Sequence, residues 1–241
     1  MPNPYRTASQ PRGDNGVTRQ SFKGERCHNR SCREVITTDW NFDGLCRRCN
    51  ARRMRWGHID QTPVSRAELQ PHLKSARAAR KRNDKVDFES VYCAWRELVD
   101  WCRTTDPVPT SRDMDARKLV VTIGMNASPE TLLDLAIAAH ILNALHPDRF
   151  VNEECFQLSL AHAFRRAGKA GQAPVKRQRQ PGEKAKVYYK EISIPTRLKL
   201  ADLIIEAFGP VASKLAEIER ARVSDRATRQ ASYQETVAAL R

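Results

Sequence analysis

The chain has 241 residues, 40% of them hydrophobic, and carries a formal net charge of +14 at pH 7. Its length allows one large domain or two small ones. The first residues are polar and lack the apolar core of a signal peptide, and no stretch approaches the apolar length of a membrane span. We therefore expect a cytoplasmic protein with reduced cysteines and no membrane partner.

The positive charge is distributed unevenly along the chain. Residues 1–85 carry a net +11, residues 86–160 a net −6 and residues 161–190 a net +8. This order indicates two basic contact regions separated by a packed helical body. Residues 1–24 are rich in Pro, Asn, Gly and Arg and lack periodic apolar residues, so we predict a disordered arm there.

Four of the seven cysteines lie in residues 25–60, as a C-x4-C pair and a C-x2-C pair that are separated by thirteen residues. They are Cys27, Cys32, Cys46 and Cys49. Two close thiolate pairs are what a tetrahedral zinc site requires. The intervening segment has room for two short strands with a turn at Asp43-Gly44. We predict one structural zinc per chain, held by these four thiolates.

Other interpretations of this cysteine pattern remain open. The four residues could be ordinary thiols of a loop-rich segment, or they could form a disulfide, although reduced thiols are the rule in the cytosol. His28 could replace one cysteine as a ligand, but its place beside Cys27 favours a bystander.

Five arginines lie within the nine residues that begin inside the second cysteine pair. If this run is helical, the metal anchors its first turn and the arginines cover most of its surface. They are Arg47, Arg48, Arg52, Arg53 and Arg55. So many like charges repel one another unless a polyanion neutralises them, which favours a helix that contacts phosphates. The alternative is a solvated basic face.

The string Gly44-Leu45-Cys46-x-x-Cys49, followed by Arg52, Arg55 and Gly57-His58, resembles a short zinc-binding module of phage and mobile-element proteins. Some of those proteins are HNH-type homing endonucleases and others are small DNA-binding regulators. The resemblance covers about thirty residues and implies a metal-binding role for the four cysteines. The chain departs from the nuclease pattern, because it lacks a histidine before a strand turn with an Asn and a second His on the following helix.

A helical body is predicted for residues 61–166. Ser65 and Glu68 form a capping box, and Pro71 is expected to interrupt the pattern, so that the helix proper begins at His72. An amphipathic helix follows over residues 86–103, and the carboxylates of residues 86–160 are expected on helix surfaces.

The segment that begins at Ser128-Pro129-Glu130 is apolar almost all round and is predicted to be the central buried helix. His140, in its middle, is interpreted as a core histidine whose hydrogen bonds are satisfied. The next helix is expected to run from Asn152 to Arg166.

Residues 167–190 are rich in Gly, Pro, Gln and basic residues and are predicted to be a basic linker. Its residues Lys176, Arg177 and Arg179, with Tyr188 and Tyr189 at the start of a short strand, suit nucleic acid, whereas the alternative is a solubilising linker. Residues 191–241 are predicted to form C-terminal helices, the first of which ends at Gly209-Pro210.

The predicted fold class is therefore mostly α, with a small N-terminal zinc knuckle or ribbon before the helical body. The favoured function is a zinc-binding, nucleic-acid-binding regulatory protein of phage or mobile-element type, with DNA as the expected nucleic acid. The alternatives are a zinc-bearing adapter that binds a host protein such as a polymerase or helicase, and a divergent nuclease. We expect no enzyme activity, since the sequence contains no Gly-rich phosphate loop, nucleophile elbow or zinc-protease helix.

Overall fold

The computed structural model describes residues 22–37, 43–104, 110–174, 187–189 and 192–239. Within these ranges the chain forms seven α-helices and one short hairpin, which confirms the prediction of a mostly α fold. The chain divides into two compact units, the N-terminal unit Met1–Ala51 and the helical unit Arg52–Arg241.

The helices are named in chain order. They are α1 (Arg47–Trp56), α2 (Arg66–Arg82), α3 (Phe88–Thr104), α4 (Ser111–Asn126), α5 (Pro129–Leu145), α6 (Glu153–Ala167) and α7 (Ile194–Ala239). Strands β1 (Gln172–Pro174) and β2 (Val187–Tyr189) pair antiparallel. Strand β2 contains both tyrosines that were predicted to start a strand, but it ends at Tyr189. None of the helices in the described ranges has an apolar run long enough to cross a bilayer.

Helix α5 is the centre of the helical unit, as predicted. Ser128 caps its first turn by accepting a hydrogen bond from the N–H of Thr131, and Pro129 occupies the first helical position. Ten of its seventeen residues are buried. It packs against α2, α6 and α7, which explains why its sequence is apolar on every side.

Three aromatic side chains join α3, α6 and α7. The ring of Trp95 lies 5.1 Å from that of Phe208 and 6.4 Å from that of Phe164, measured between ring centroids. All three side chains are buried, with Trp95 only 1% exposed. These three are the largest fully buried side chains among the described residues, and their packing should contribute strongly to the stability of the unit.

Two predicted helix boundaries at prolines are wrong. Helix α2 runs continuously through Pro71, and α7 runs continuously through Pro210. A proline leaves the carbonyl four residues earlier without its helical donor. The residues that carry those carbonyls, Ala67 and Glu206, are exposed, as are both prolines. Water can therefore solvate the carbonyls, while the opposite faces of both helices remain packed on α5.

One carboxylate of the acidic region is buried rather than on a helix surface. Asp134, on α5, is 5% exposed and accepts hydrogen bonds from the Nε of Arg77 at 3.2 Å and the Nε of Arg80 at 2.9 Å. Arg80 also donates to the hydroxyl oxygen of Tyr92 at 2.9 Å. The two arginines lie on α2 and are themselves partly or largely exposed, so ion pairs to a buried carboxylate link α2 to the central helix.

His140 is a core histidine, but its hydrogen bonds are not all satisfied. Its Nε2 is buried without a hydrogen-bond partner among the described residues, and its ring lies edge-on to Phe156 at 5.1 Å between centroids. Burial lowers the pKa of His140 to about 4, so the imidazole is neutral at physiological pH.

The last part of α7 extends without packing. Every side chain from Arg220 to Thr236 is exposed, whereas the preceding turns bury residues such as Phe208, Ala212 and Leu215. The stabilising contacts of α7 therefore come from the part that ends at Glu219, whose buried carboxylate pairs with Arg82 of α2.

Candidate metal centre

The four cysteines of the N-terminal unit converge on one point. Their Sγ atoms all lie within 4.8 Å of one another, and Cys32 Sγ lies 3.7 Å from Cys46 Sγ. A zinc ion with Zn–S bonds of about 2.3 Å places its four sulfurs about 3.8 Å apart at the tetrahedral angle. A disulfide would need about 2.0 Å, and all four cysteines are free thiols. The spacing-based prediction of a four-cysteine metal cluster is confirmed.

Short backbone contacts bring the two cysteine pairs together. Arg26 and Val35 form an isolated antiparallel bridge around the first pair, and the N–H of Cys27 donates to the carbonyl of Glu34 at 2.9 Å. The N–H of His28 donates to the carbonyl of Gly44 at 2.7 Å, which connects the first pair to the turn before the second. Residues 38–42 lie outside the described ranges, so the predicted hairpin between the pairs stays a prediction.

Gly44 is required by the local geometry. Its φ of +65° lies in the left-handed region, and a Cβ atom there would come within 2.0 Å of His28 Nδ1. Only glycine fits both conditions without displacing the imidazole. The glycine of the Gly-Leu-Cys motif thus allows the close approach of the two cysteine-bearing segments.

Asn29 is a supporting residue that sequence reasoning missed. It is 3% exposed, and its Nδ2 lies 3.6 Å from Cys49 Sγ, within reach of a weak N–H···S hydrogen bond. Its Oδ1 accepts from the N–H of Ser31 at 2.9 Å, which folds the chain between Cys27 and Cys32 into a turn. An asparagine between two metal-site cysteines, two residues before a serine, was the signal that could have identified it.

The electrostatics of the cluster favour a cation. Burial raises the pKa of Cys46, and burial together with the neighbouring Cys32 and Cys27 sulfurs raises the pKa of Cys49 to about 11. Burial also opposes ionisation of Cys27, but hydrogen bonds from the backbone N–H groups of Cys46 and Asn29 and from the Cys49 and Cys46 thiols together lower the Cys27 pKa. Without a cation the cluster cannot hold four thiolates, whereas a bound metal ion deprotonates its thiol ligands outright.

The donor set fits a tetrahedral metal ion with soft ligands. Three of the four cysteines are buried, and Cys32 is partly exposed. N–H groups point at two sulfurs: that of Cys46 at Cys27 Sγ at 3.2 Å and that of Cys49 at Cys46 Sγ at 3.5 Å. Such donors orient and stabilise thiolates around a metal.

His28 is not part of the cluster. Its Nε2 lies 3.8 Å from a carboxylate oxygen of Glu25, and its ring packs edge-on against Phe22. In the described parts of the chain, the four cysteines form the one group of His, Cys, Asp and Glu side chains whose donor atoms could share an ion.

The five arginines that overlap and follow the second cysteine pair, which are predicted to contact phosphates, all lie on α1. In the N-terminal unit, Arg47 and Arg48 are exposed, and Arg48 Nη1 lies 3.6 Å from a carboxylate oxygen of Glu34. In the helical unit, Arg55 is exposed, and Arg52 and Arg53 are half-buried. The run is helical, as the interpretation of a phosphate-contacting helix requires.

The end of α1 is held within the helical unit. The buried Arg197 of α7 donates hydrogen bonds to the carbonyls of Arg55 and Met54, the latter at 3.0 Å. Trp56 packs edge-on against His162 of α6 with 5.0 Å between ring centroids. Arg52, Arg53 and Arg55 are therefore carried by a fixed helix rather than by a loop.

The other predicted contact residues, Lys176, Arg177 and Arg179, lie outside the described residues, as do residues 1–21 of the predicted arm. Comparisons of the chain with protein-family profiles, with curated proteins and with solved structures find no match.

Proposed function

We propose that this protein is a zinc-binding, nucleic-acid-binding regulatory protein, with DNA as the expected nucleic acid. The observation that carries the proposal is the convergence of four cysteine sulfurs, two of which lie at the start of an arginine-rich helix: Cys46 lies directly before it and Cys49 lies in its first turn. The proposal has two parts, which are argued separately: the metal is zinc, and α1 contacts phosphates.

Zinc is the metal that best suits the donor set. Four thiolates at tetrahedral distances select zinc or iron over magnesium, calcium and other ions that prefer oxygen ligands. Four protein ligands leave no open coordination position for water or substrate, so the ion has a structural role. Because few buried apolar residues occur among those described in this unit, binding of the metal supplies much of its folding free energy.

Phosphate contact by α1 is supported by the exposure and pairing of its arginines. The ion pair of Arg48 with Glu34 joins two exposed side chains, and such pairs contribute little. A phosphate can therefore replace the carboxylate at small cost. Arg47 and Arg55 are exposed, and the net charge of +14 attracts a polyanion to the protein as a whole.

The test is the salt dependence of duplex DNA binding by the full-length, zinc-loaded chain. Each phosphate contact contributes about 0.9 to the slope of log affinity against log salt concentration. Changing Arg52 and Arg55 together to Gln should weaken binding and reduce that slope by about 1.8. Fluorescence anisotropy of a labelled duplex over a series of salt concentrations measures both quantities.

A matched control separates local contacts from overall charge. Arg103 on α3 and Arg112 on α4 are also exposed, and changing both to Gln removes the same two charges. This control should retain nearly the full slope. Equal slopes for the wild type and the Arg52/Arg55 variant would show that α1 is only a solvated basic face. A parallel titration with single-stranded RNA compares the affinities for DNA and RNA.

A further inference from the structure

The helical unit contains a cavity of about 350 Å³ between α2, α5 and α6. Its wall is mainly aliphatic and aromatic, including Leu69, Leu73, Leu135, Leu142, Phe156 and Leu160. Trp56, at the end of α1, and Phe150, in the loop before α6, also line it. The volume lies in the range of sites that bind small organic molecules, roughly 300–1,000 Å³.

The charged residues that line this cavity are all positive. They are Arg66, Arg77 and Arg166, and no Asp or Glu is among the lining residues. Arg77 is already paired with Asp134. Arg66 and Arg166 are exposed and have no ion-pair partner among the described residues. The cavity thus combines an apolar interior with two guanidinium groups available to an anion.

The lowered pKa of His162 also indicates a positive electrostatic potential at this cavity. Its imidazole lines the cavity, and its pKa is lowered to about 4, first by burial and then by the charges of Arg166, Arg165 and Arg197. The same arginine charges that oppose a proton on His162 favour the ionised form of a carboxylate nearby. The neutral ring remains able to accept or donate one hydrogen bond to a ligand.

We propose that this cavity binds a small carboxylate with an apolar body, of the size of a medium-chain fatty acid. The chain would lie among the leucines and Phe156, where each methylene gains from leaving water. The carboxylate would lie at Arg66 and Arg166, whose planar donors match its two oxygens. A cationic or neutral ligand of the same length leaves this charge complementarity unused.

Isothermal titration of the full-length protein with decanoate, below its micellar concentration, tests the proposal. We expect one binding site per chain, weaker binding of decanol, and no binding of decylammonium. Octanoate should bind roughly fifteenfold more weakly than decanoate, since it lacks two methylenes and each buried methylene changes affinity about fourfold. Absence of decanoate binding, or equal affinity for decanoate and decanol, would overturn the proposal.

Two variants locate the site. Changing Arg66 and Arg166 together to Gln should weaken decanoate binding at least tenfold and leave decanol binding unchanged, whereas the Arg103/Arg112 control should alter neither. Ala163→Trp places a large ring in the cavity and should abolish binding of both probes. A cooperative thermal transition and unchanged helical circular dichroism verify that each variant is folded. Undiminished decanoate binding by both site variants would place the ligand elsewhere and contradict the assignment.

Discussion

Replacing Cys49 with serine should remove the metal from the protein and unfold the N-terminal unit. Cys49 is 1% exposed and is one of four sulfurs within 4.8 Å of one another. Structural zinc contributes an apparent ~10–16 kcal/mol in small zinc domains, where metal binding and folding are one process. The buried residues described in this unit include few apolar side chains beyond Ile36 and Leu45, so little else can hold its fold.

Metal content and limited proteolysis measure this outcome. The variant should contain much less than one equivalent of metal and should be cleaved rapidly before Ala51. Cys93→Ser is the matched control, because Cys93 is also a free thiol but lies on α3, beside Glu89 and Arg96, and is not one of the four cluster cysteines. If Cys49→Ser keeps a full equivalent of metal, the four cysteines do not form the site.

Trp95→Ala should cause the largest loss of stability in the helical unit. The indole is 1% exposed and packs against Phe164 and Phe208, so its removal leaves a cavity between three helices. Large-to-small changes of buried aromatic residues cost about 3–5 kcal/mol. This is a large part of the ~5–15 kcal/mol that stabilises an ordinary domain. The melting temperature of the helical transition should fall by roughly 10 °C.

Trp101→Ala serves as the comparison for Trp95→Ala. Trp101 lies on the same helix but is 43% exposed, and the guanidinium carbon of Arg117 lies 4.0 Å from its ring centroid. Loss of this cation–π contact should cost about 0.5–1 kcal/mol. Thermal denaturation followed by circular dichroism compares the two variants. Equal melting temperatures for Trp95→Ala and Trp101→Ala would contradict the packing described here.

The features predictable from sequence were those that depend on residues close together in the chain. The metal cluster follows from two cysteine pairs, each folded by a local turn. The capping box of Ser65 and Glu68 and the proline start of α5 depend on contacts within one helical turn. The burial of α5 was predictable because a helix that is apolar all round has no face for solvent.

The wrong helix ends at Pro71 and Pro210 have a common physical reason. Local propensity predicts a break, whereas both helices bury side chains on either side of the proline, such as Leu69 and Ala76 on α2. Packing free energy therefore exceeds the cost of one lost hydrogen bond when the freed carbonyl faces water. Which face of a helix a proline occupies depends on its neighbours in space.

Features formed by residues far apart in the sequence could not be predicted either, because they too depend on which elements pack together. Asp134 and Arg80 are 54 positions apart, and the cavity takes its lining from α2, α5 and α6. The apolar surroundings of Asp134 on α5 indicate burial, but nothing in the local sequence identifies the α2 arginines that pair with it. The packing of α2 against α5 had to be known first.

The most direct test of the central claim is zinc X-ray absorption spectroscopy of the purified full-length protein, together with elemental analysis. About one zinc per chain, surrounded by four sulfurs at about 2.3 Å, is the expected result. The spectrum should lack nitrogen or oxygen in the first coordination sphere, because all four ligands are cysteines. A metal-free protein with four freely titratable thiols in residues 25–60, or an iron-containing one, would contradict the account.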